Sequence, residues 1–424
     1  MTKKELIFSN ITDYCDQNHN FNFDPKNPIV RLHEPTFGAE EINAFVDQML
    51  TTHVTMGKEV RKFEEQYAKI MGHKYAVMNN SGSSANLLAV SALANKLTKN
   101  NLNVGDEVIV PSLSWSTTVW PLIQHGLTPV FVDTDPQTFN LDSNKLEEAI
   151  TNKTKAIMLV HVYGNPCDMD GLISLANTYN LQIIEDSCES MGAYYKDKAV
   201  GSFGRVGTFS FYFSHHITTL EGGICVTDDF DLTETMRIMR AHGWSREADN
   251  HEDYVKKYPD IDPRFIFVNL GYNLRPTECQ GRMGQVQLPK LANFVKQRRK
   301  NVAYYRKKLN KYCDIFDFQH EQKDGYSSWF GFAIILKNNC PFNVKEISAY
   351  LKSKNIENRP IIAGNIGNHP VMQNYHHIMG KNQDVSNNIM KNGFALGCHQ
   401  HINEQAIDYI VHNIDKFIKE NKCL

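Results

Sequence analysis

From about Glu40 to Leu288 short apolar runs alternate with longer stretches of helical periodicity, and this rhythm constrains the fold more than any other feature of the chain. Tyr75–Met78, Glu107–Val110, Pro129–Val132, Ala156–Val160 and Gln182–Ile184 are runs of strand length, bounded by turn or helix signals. Between and before them lie EEINAFVDQML, KEVRKFEEQYAKIMG and the stretch Ser84–Leu97, which carry apolar residues at helical spacing. Strands that are apolar throughout and separated by helices predict a mostly parallel, doubly wound sheet with helices on both faces. Such sheets gather ligands at the carboxyl ends of their strands.

The texture changes at Leu288. A long charged helix, KLANFVKQRRKNVAYYRKKLNKY, leads away from the sheet region. After it, Ser327–Leu336 reads as a strand, Val344–Asn355 as a helix and Glu404–Lys419 as a last helix. A chain of 424 residues exceeds one small core. The expected organisation is an N-terminal arm or lead-in helix over 1–30, a large α/β domain over 31–290 and a smaller α+β domain over 291–424.

A net charge of −2 implies no basic face, so nucleic acid and anionic membrane are excluded as expected partners. No apolar run approaches the roughly 20 residues of a membrane-spanning helix. The opening MTKKELIFSNITDYCDQNHN has no apolar block followed by a small-residue cleavage site, and the expected location is cytoplasmic. The nine cysteines form no CxC or CxxC pair, which disfavours a zinc knuckle or a locally encoded iron–sulfur site. The histidines at 376–377 and at 399 and 401 lack a carboxylate or cysteine frame and read as surface or packing residues, so no metal is expected.

Four segments fall at predicted strand ends. In Asn79–Asn86, Gly82 permits close backbone approach, and Ser83 adds a hydroxyl to helix N-terminal amides suited to a phosphate. An ordinary helix cap has the same composition. Trp115 can stack on a planar ligand or fill a core. Asp186, in IIEDSCES, can pair with a protonated ring nitrogen or cap a helix. The last segment runs from Thr208 through Ser210 into His215-His216 and ends at Gly222-Gly223.

The order of these segments resembles the DegT/DnrJ/EryC1/StrS family of sugar aminotransferases from about Pro28 to the C-terminus. Gly271-Tyr272-Asn273-Leu274-Arg275-Pro276 and the later Gln287-Leu288 complete the pattern. The resemblance implies an aspartate-aminotransferase-like fold (fold type I), pyridoxal or pyridoxamine 5'-phosphate as cofactor, and a homodimer with active sites at the subunit interface. It also implies roles. Gly82, Ser83 and Ser210 hold the cofactor phosphate, and Asn273 reaches it from the partner subunit. Trp115 stacks on the ring, Asp186 pairs with its nitrogen, and Glu189 faces its hydroxyl.

One position departs from the family. Its cofactor-binding lysine sits five residues after the serine matched by Ser210, where this chain has His215, and no lysine lies between Lys198 and Lys256. Imidazole cannot form the imine that a primary amine forms, yet it exchanges protons near neutral pH. The substitution is similar to a branch of the family that removes the 3-hydroxyl of nucleotide-linked 4-keto-6-deoxyhexoses. EDSCESMGA, SHHITTLEGGICVTDD, SSWFGF and IENRPIIAGN carry that likeness. A sister branch holds an iron–sulfur cluster on cysteines that would fall between Trp244 and Gly271, where this chain has none. The cluster-free branch implies a GDP-linked 4-keto-6-deoxymannose as substrate, L-glutamate as amino donor and His215 as acid and base. It places the chain in colitose-type dideoxysugar synthesis for lipopolysaccharide O-antigen. Glu357, Arg359 and, more weakly, Arg275 match residues facing the sugar or the donor carboxylate, and His216 is read as a structural neighbour. A sugar 4-aminotransferase and a silent partner of an active paralogue stay open as alternatives.

Overall fold

The structure is a computed structural model, which describes residues 1–421. Its centre is an eight-stranded sheet built from β1 (Tyr75–Asn79), β2 (Glu107–Pro111), β3 (Thr128–Val132), β4 (Thr154–Val160), β5 (Gln182–Asp186), β6 (Val206–Ser210), β7 (Gly223–Thr227) and β8 (Ile378–Met379). The strand order is β1-β7-β6-β5-β4-β2-β3-β8. β7 alone runs antiparallel to its neighbours. The other pairings, from β6–β5 to β3–β8, are parallel.

Alternation along each strand decides which face a side chain serves. Val108, Val110, Met158 and Ile184 pack with helices Gly82–Leu93 and Ser116–Gln124. Ile109, Ile157, Leu159 and Ile183 pack on the other face with helix Met169–Tyr179. Both faces are covered, which is why these strands read as unbroken apolar runs. Chain direction reverses between β2, which leads to β3, and β4, which leads to β5 on the opposite side. Loops at the carboxyl ends therefore part there and leave a crevice.

A second, four-stranded antiparallel sheet joins Phe316–Phe318, Phe332–Leu336, Gly393–Leu396 and Asn358–Arg359 in that order. Helices Leu291–Leu309, Val344–Ser353 and Glu404–Asn421 close its core around Phe332, Ile334, Phe394 and Leu396. The N-terminal segment forms helix Lys3–Asn18, started by a capping box between Thr2 and Glu5.

One expectation needs correction. Ser327–Gly331 is not strand; the strand begins at Phe332. Ser327 Oγ and Ser328 N both donate to the Gly164 carbonyl, and Phe330 N donates to the Tyr163 carbonyl, so the segment folds as a loop onto residues 163–164. Trp329 takes a left-handed backbone there, φ 49°. Ile378–Met379, from the C-terminal region, pairs in parallel with β3 of the large sheet.

Candidate active site

The carboxyl ends of β1, β2, β4, β5 and β6 surround a cavity of about 370 Å³. Gly82, Ser83, Trp115, Asp186, Glu189, Ser210, His215 and Arg359 all line it.

The turn after β1 starts helix Gly82–Leu93, with Ser81 Oγ accepting from Ser84 N at 3.1 Å. The amides of Gly82 and Ser83 precede the first intrahelical bond, from Ala85 N to Ser81 O. They point from the positive end of the helix and, beside the hydroxyls of Ser83, Thr117 and Ser210, make an anion cradle. A Cβ on Gly82 would lie 2.4 Å from Ser210 Cβ, 2.7 Å from Ser210 Oγ and 3.2 Å from Cys188 Sγ. Glycine to alanine within a helix ordinarily stabilises. Here Gly82→Ala is expected to cost about 1–3 kcal/mol through overpacking and to weaken binding of pyridoxal phosphate. Thermal unfolding and an absorbance titration with the cofactor check both effects; a more stable variant with normal cofactor affinity would show that the cradle is not held this tightly.

β5 delivers two adjacent carboxylates to opposite faces. Asp186 faces the cleft and is 4% exposed. Its Oδ2 accepts from Asn86 Nδ2 at 2.8 Å and Thr118 Oγ1 at 2.7 Å, and its Oδ1 from Cys188 N at 3.2 Å. Thr208 Oγ1 donates to Asn86 Oδ1 at 2.6 Å, which fixes that amide with its NH₂ toward Asp186. Glu185 is fully buried on the other face. It accepts from the amides of Gly201, Phe203 and Gly204 and from His161 Nε2 at 3.1 Å. His161 Nδ1 accepts from Cys167 N, so its proton sits on Nε2. The pair anchors the loop before β6 and is not part of the cleft.

His215 follows β6, its amide turned to Tyr212 O at 2.9 Å. Its ring meets Tyr212 edge-on at 5.9 Å and lies 5.0 Å from the ring of Phe330. Nδ1 has no hydrogen-bond partner. Burial, then the positive charges of Arg359 and Arg298, then His33, hold the imidazole down to about 3, so it is neutral at physiological pH. His216 is fully buried, with Nε2 on the Ser328 carbonyl at 3.2 Å.

Across the cleft Arg359 NH2 stands 3.7 Å from Glu189 Oε1. Burial pushes the Glu189 carboxyl up to about 7 against the opposing pull of Arg359 and of the Tyr163 amide. It therefore titrates near neutral pH.

Glu357, Asn273, Arg275, His399 and His401, all considered above, do not line this cavity. Glu357 is exposed, and its Oε2 accepts from Leu32 N at 2.9 Å, tying the N-terminal segment to the small sheet. Asn273 is exposed and accepts from Arg275 Nε at 3.0 Å, on a loop whose Leu274 carbonyl accepts from Asn80 N beside the turn after β1. His399 and His401 meet the Arg31 and Pro35 carbonyls through Nε2. Residues that complete the cavity without having been singled out include Asn86, Thr117, Tyr212, Ser214, Glu221 and Phe330. Most sit within a few positions of the motifs, and Phe330 lies inside SSWFGF. No local signal separates it from the neighbouring core aromatics.

The model of the DegT/DnrJ/EryC1/StrS aminotransferase family matches residues 35–415. GDP-4-keto-6-deoxy-D-mannose 3-dehydratase of Escherichia coli O55:H7 (strain CB9615 / EPEC) is 43% identical over 359 residues, covering 84% of this chain and 92% of that protein. A crystal structure of a mutant GDP-4-keto-6-deoxymannose 3-dehydratase with bound GDP-perosamine aligns with TM-score 0.86 at 41% identity, covering 91% of this chain and 100% of that one. A second, with a trapped PLP-glutamate geminal diamine, aligns with TM-score 0.84 at 40% identity, covering 91% and 99%. The ordered cradle, the Asp186 network and a family match over nearly the whole length agree: the chain belongs to the DegT/DnrJ/EryC1/StrS aminotransferase family.

Proposed function

We propose that the protein is a 3-dehydratase of GDP-4-keto-6-deoxy-D-mannose that uses pyridoxal/pyridoxamine 5'-phosphate and L-glutamate. One observation carries the reading: a complete cofactor cradle ends in His215, a proton carrier without an amine. The residues present fit the cofactor. The space at Gly82 admits no Cβ, Asp186 reaches the cleft floor already oriented by two side-chain donors, and His215 Nδ1 is left without a protein partner. The two solved structures, one with a GDP-sugar and the other with a PLP–glutamate adduct, support the ligand assignment.

When bound, the cofactor supplies the amino group and the electron sink that loosen the 3-hydroxyl. The chain does the rest. The amides of Gly82 and Ser83 and the Ser210 hydroxyl hold the phosphate, and Trp115 covers the ring. Asp186 keeps the ring nitrogen protonated, since a carboxylate beside it favours the cation. Glu189 meets the ring hydroxyl. Arg359 and, more distantly, Arg275 serve donor or sugar anions, as guanidinium forks do. His215 takes up a proton at its free nitrogen and returns it to the departing 3-hydroxyl oxygen. Overall, glutamate and the keto sugar become 2-oxoglutarate, ammonia and the 3,6-dideoxy keto sugar; glutamate supplies the two electrons.

The active unit is a homodimer in this reading. Trp115 is 54% exposed in the single chain, Leu270 87% and Phe267 55%, and the loop carrying Asn273 faces outward. A second copy would cover them and bring Asn273 to the partner's phosphate cradle. No helix among the described residues is long and apolar enough to cross a membrane, and the proposed location is cytoplasmic. The test mixes protein, pyridoxal phosphate, glutamate and GDP-4-keto-6-deoxymannose. Release of ammonia and 2-oxoglutarate with a sugar lighter by one oxygen is expected. A sugar that gains nitrogen would make the protein an aminotransferase and overturn the proposal.

A further inference from the structure

Arg298 lies on the inward side of helix Leu291–Leu309 and is 2% exposed. Its Nη1 donates to the carbonyls of Trp329 at 3.2 Å and Phe330 at 3.1 Å. Its Nε has no partner, and the side chain enters no ion pair among the described residues. Other buried guanidiniums here are compensated: Arg240 meets Glu64 at 2.6 Å, and Arg237 meets Glu234 at 2.8 Å. Buried charges are ordinarily paired, so an unpaired one calls for a role.

The place of Arg298 supplies one. The two carbonyls it holds belong to the loop whose Trp329 is left-handed and whose Ser328 carbonyl meets His216. The next side chain, Phe330, carries His215 on its ring at 5.0 Å and the Arg359 guanidinium at 5.2 Å. Behind the cleft a void of about 10 Å³ is lined by His33, Ser214, Arg298, Phe330 and Arg359. It has room for about one water, and the Arg298 charge behind it is shielded from bulk solvent.

The groups facing His215 can be set against one another. Tyr212, Ser214 and His216 come from its own segment, and Asp186, Cys188 and Glu189 from the end of β5. Glu221 comes from the turn before β7 and Arg359 from the small sheet, while Tyr163 after β4, His33 of the N-terminal segment and Arg298 of its helix line the adjoining void beside Ser214 and Phe330. Arg359 is opposed by Glu189 and Asp186 binds the cofactor side, which leaves Arg298 as the uncompensated cation.

We propose that Arg298 is a positioning residue for the reaction: it holds the Trp329–Phe330 turn that shelves the His215 ring and sets an unpaired positive charge across the void behind that turn. This rests on His215 being the proton carrier of the proposed function. A positive charge there disfavours a protonated imidazole, so His215 stands unprotonated until it accepts the transferred proton and then passes it on to the departing hydroxyl. The depressed proton affinity of His215, to which Arg298 contributes after burial and Arg359, is consistent with it.

The test is a pH titration of His215 by NMR in histidine-labelled holoenzyme, with the signal assigned by its loss in His215→Gln. Arg298→Gln removes the charge but retains a donor for the carbonyls; Arg298→Lys retains the charge. The wild-type midpoint is expected well below the ordinary histidine value of about 6.5. Arg298→Gln should raise it by roughly one unit or more and move the acid limb of kcat/KM the same way, while Arg298→Lys leaves both near wild type. A natively folded Arg298→Gln with an unmoved midpoint, or a lysine variant that titrates like the glutamine one, overturns the proposal. So does a wild-type midpoint near 6.5, which decides the matter even if neither variant folds. Failure of the wild type to deoxygenate the sugar would instead sink the functional reading and leave the NMR result standing on its own.

Discussion

Replacing His215 with glutamine is expected to slow loss of the sugar 3-hydroxyl by roughly 10²–10⁴-fold, the range for removing a positioned acid–base group, and to leave cofactor binding unchanged. Glutamine has comparable reach and hydrogen-bonding capacity but neither accepts nor releases a proton near neutral pH. The cradle that holds the phosphate, from Gly82 to Ser210, and the Asp186 network do not involve the imidazole. Nor does the histidine cap a helix or close a buried network: Nδ1 has no partner, and its neighbours Tyr212 and Phe330 touch it through ring faces and edges. Thermal stability should therefore change little. Single-turnover deoxygenation measured alongside cofactor absorbance separates the two effects. A variant that keeps more than about a tenth of wild-type rate, far above that range, would move the proton-transfer role to another group, with Glu189 first in line because it titrates to about 7 in the same cavity.

Asp186→Asn should lower deoxygenation by about 10²–10³-fold, the usual cost of removing one preorganised electrostatic contact, and should weaken cofactor binding as well. The carboxylate is held by Asn86 Nδ2 and Thr118 Oγ1 on Oδ2 and by the Cys188 amide on Oδ1. An asparagine oxygen can take the place of Oδ2, but its NH₂ then faces the Cys188 amide, so one donor is left unmet. More important, a neutral amide no longer favours a protonated ring nitrogen, and the electron sink fails. Glu185→Gln offers a contrast. That carboxylate accepts three backbone amides and the His161 imidazole away from the cavity, so its loss should show in thermal unfolding and not in cofactor absorbance. If Asp186→Asn bound cofactor normally and turned over at wild-type rate, the orientation assigned to the ring would be wrong.

The sequence by itself determined the parallel sheet and the order of the motifs, because both are written in short-range chemistry. The apolar runs that became β1 to β5 lie where the periodicity put them, with ends that differ by a residue or two. The glycine, serine and aspartate positions at strand ends follow from the same local pattern, and His215 in place of a lysine is visible at one position. Only the tertiary structure decided that Asp186 faces the cleft while Glu185 anchors a loop. Both follow one apolar run, and their parity acquires meaning only once each face of the sheet has its own helices. It also decided that Ser327–Gly331 is a loop: the run looks like strand, but the Gly164 and Tyr163 backbone offers its hydrogen bonds first. Phe330 reaches His215 from the loop before the small sheet, Arg359 shares the cavity from that sheet, and Arg298 holds the Phe330 carbonyl from a helix whose sequence reads as an ordinary charged surface. Contacts between residues so far apart in the chain depend on how two packed layers meet, and that geometry has no local periodicity from which to read it.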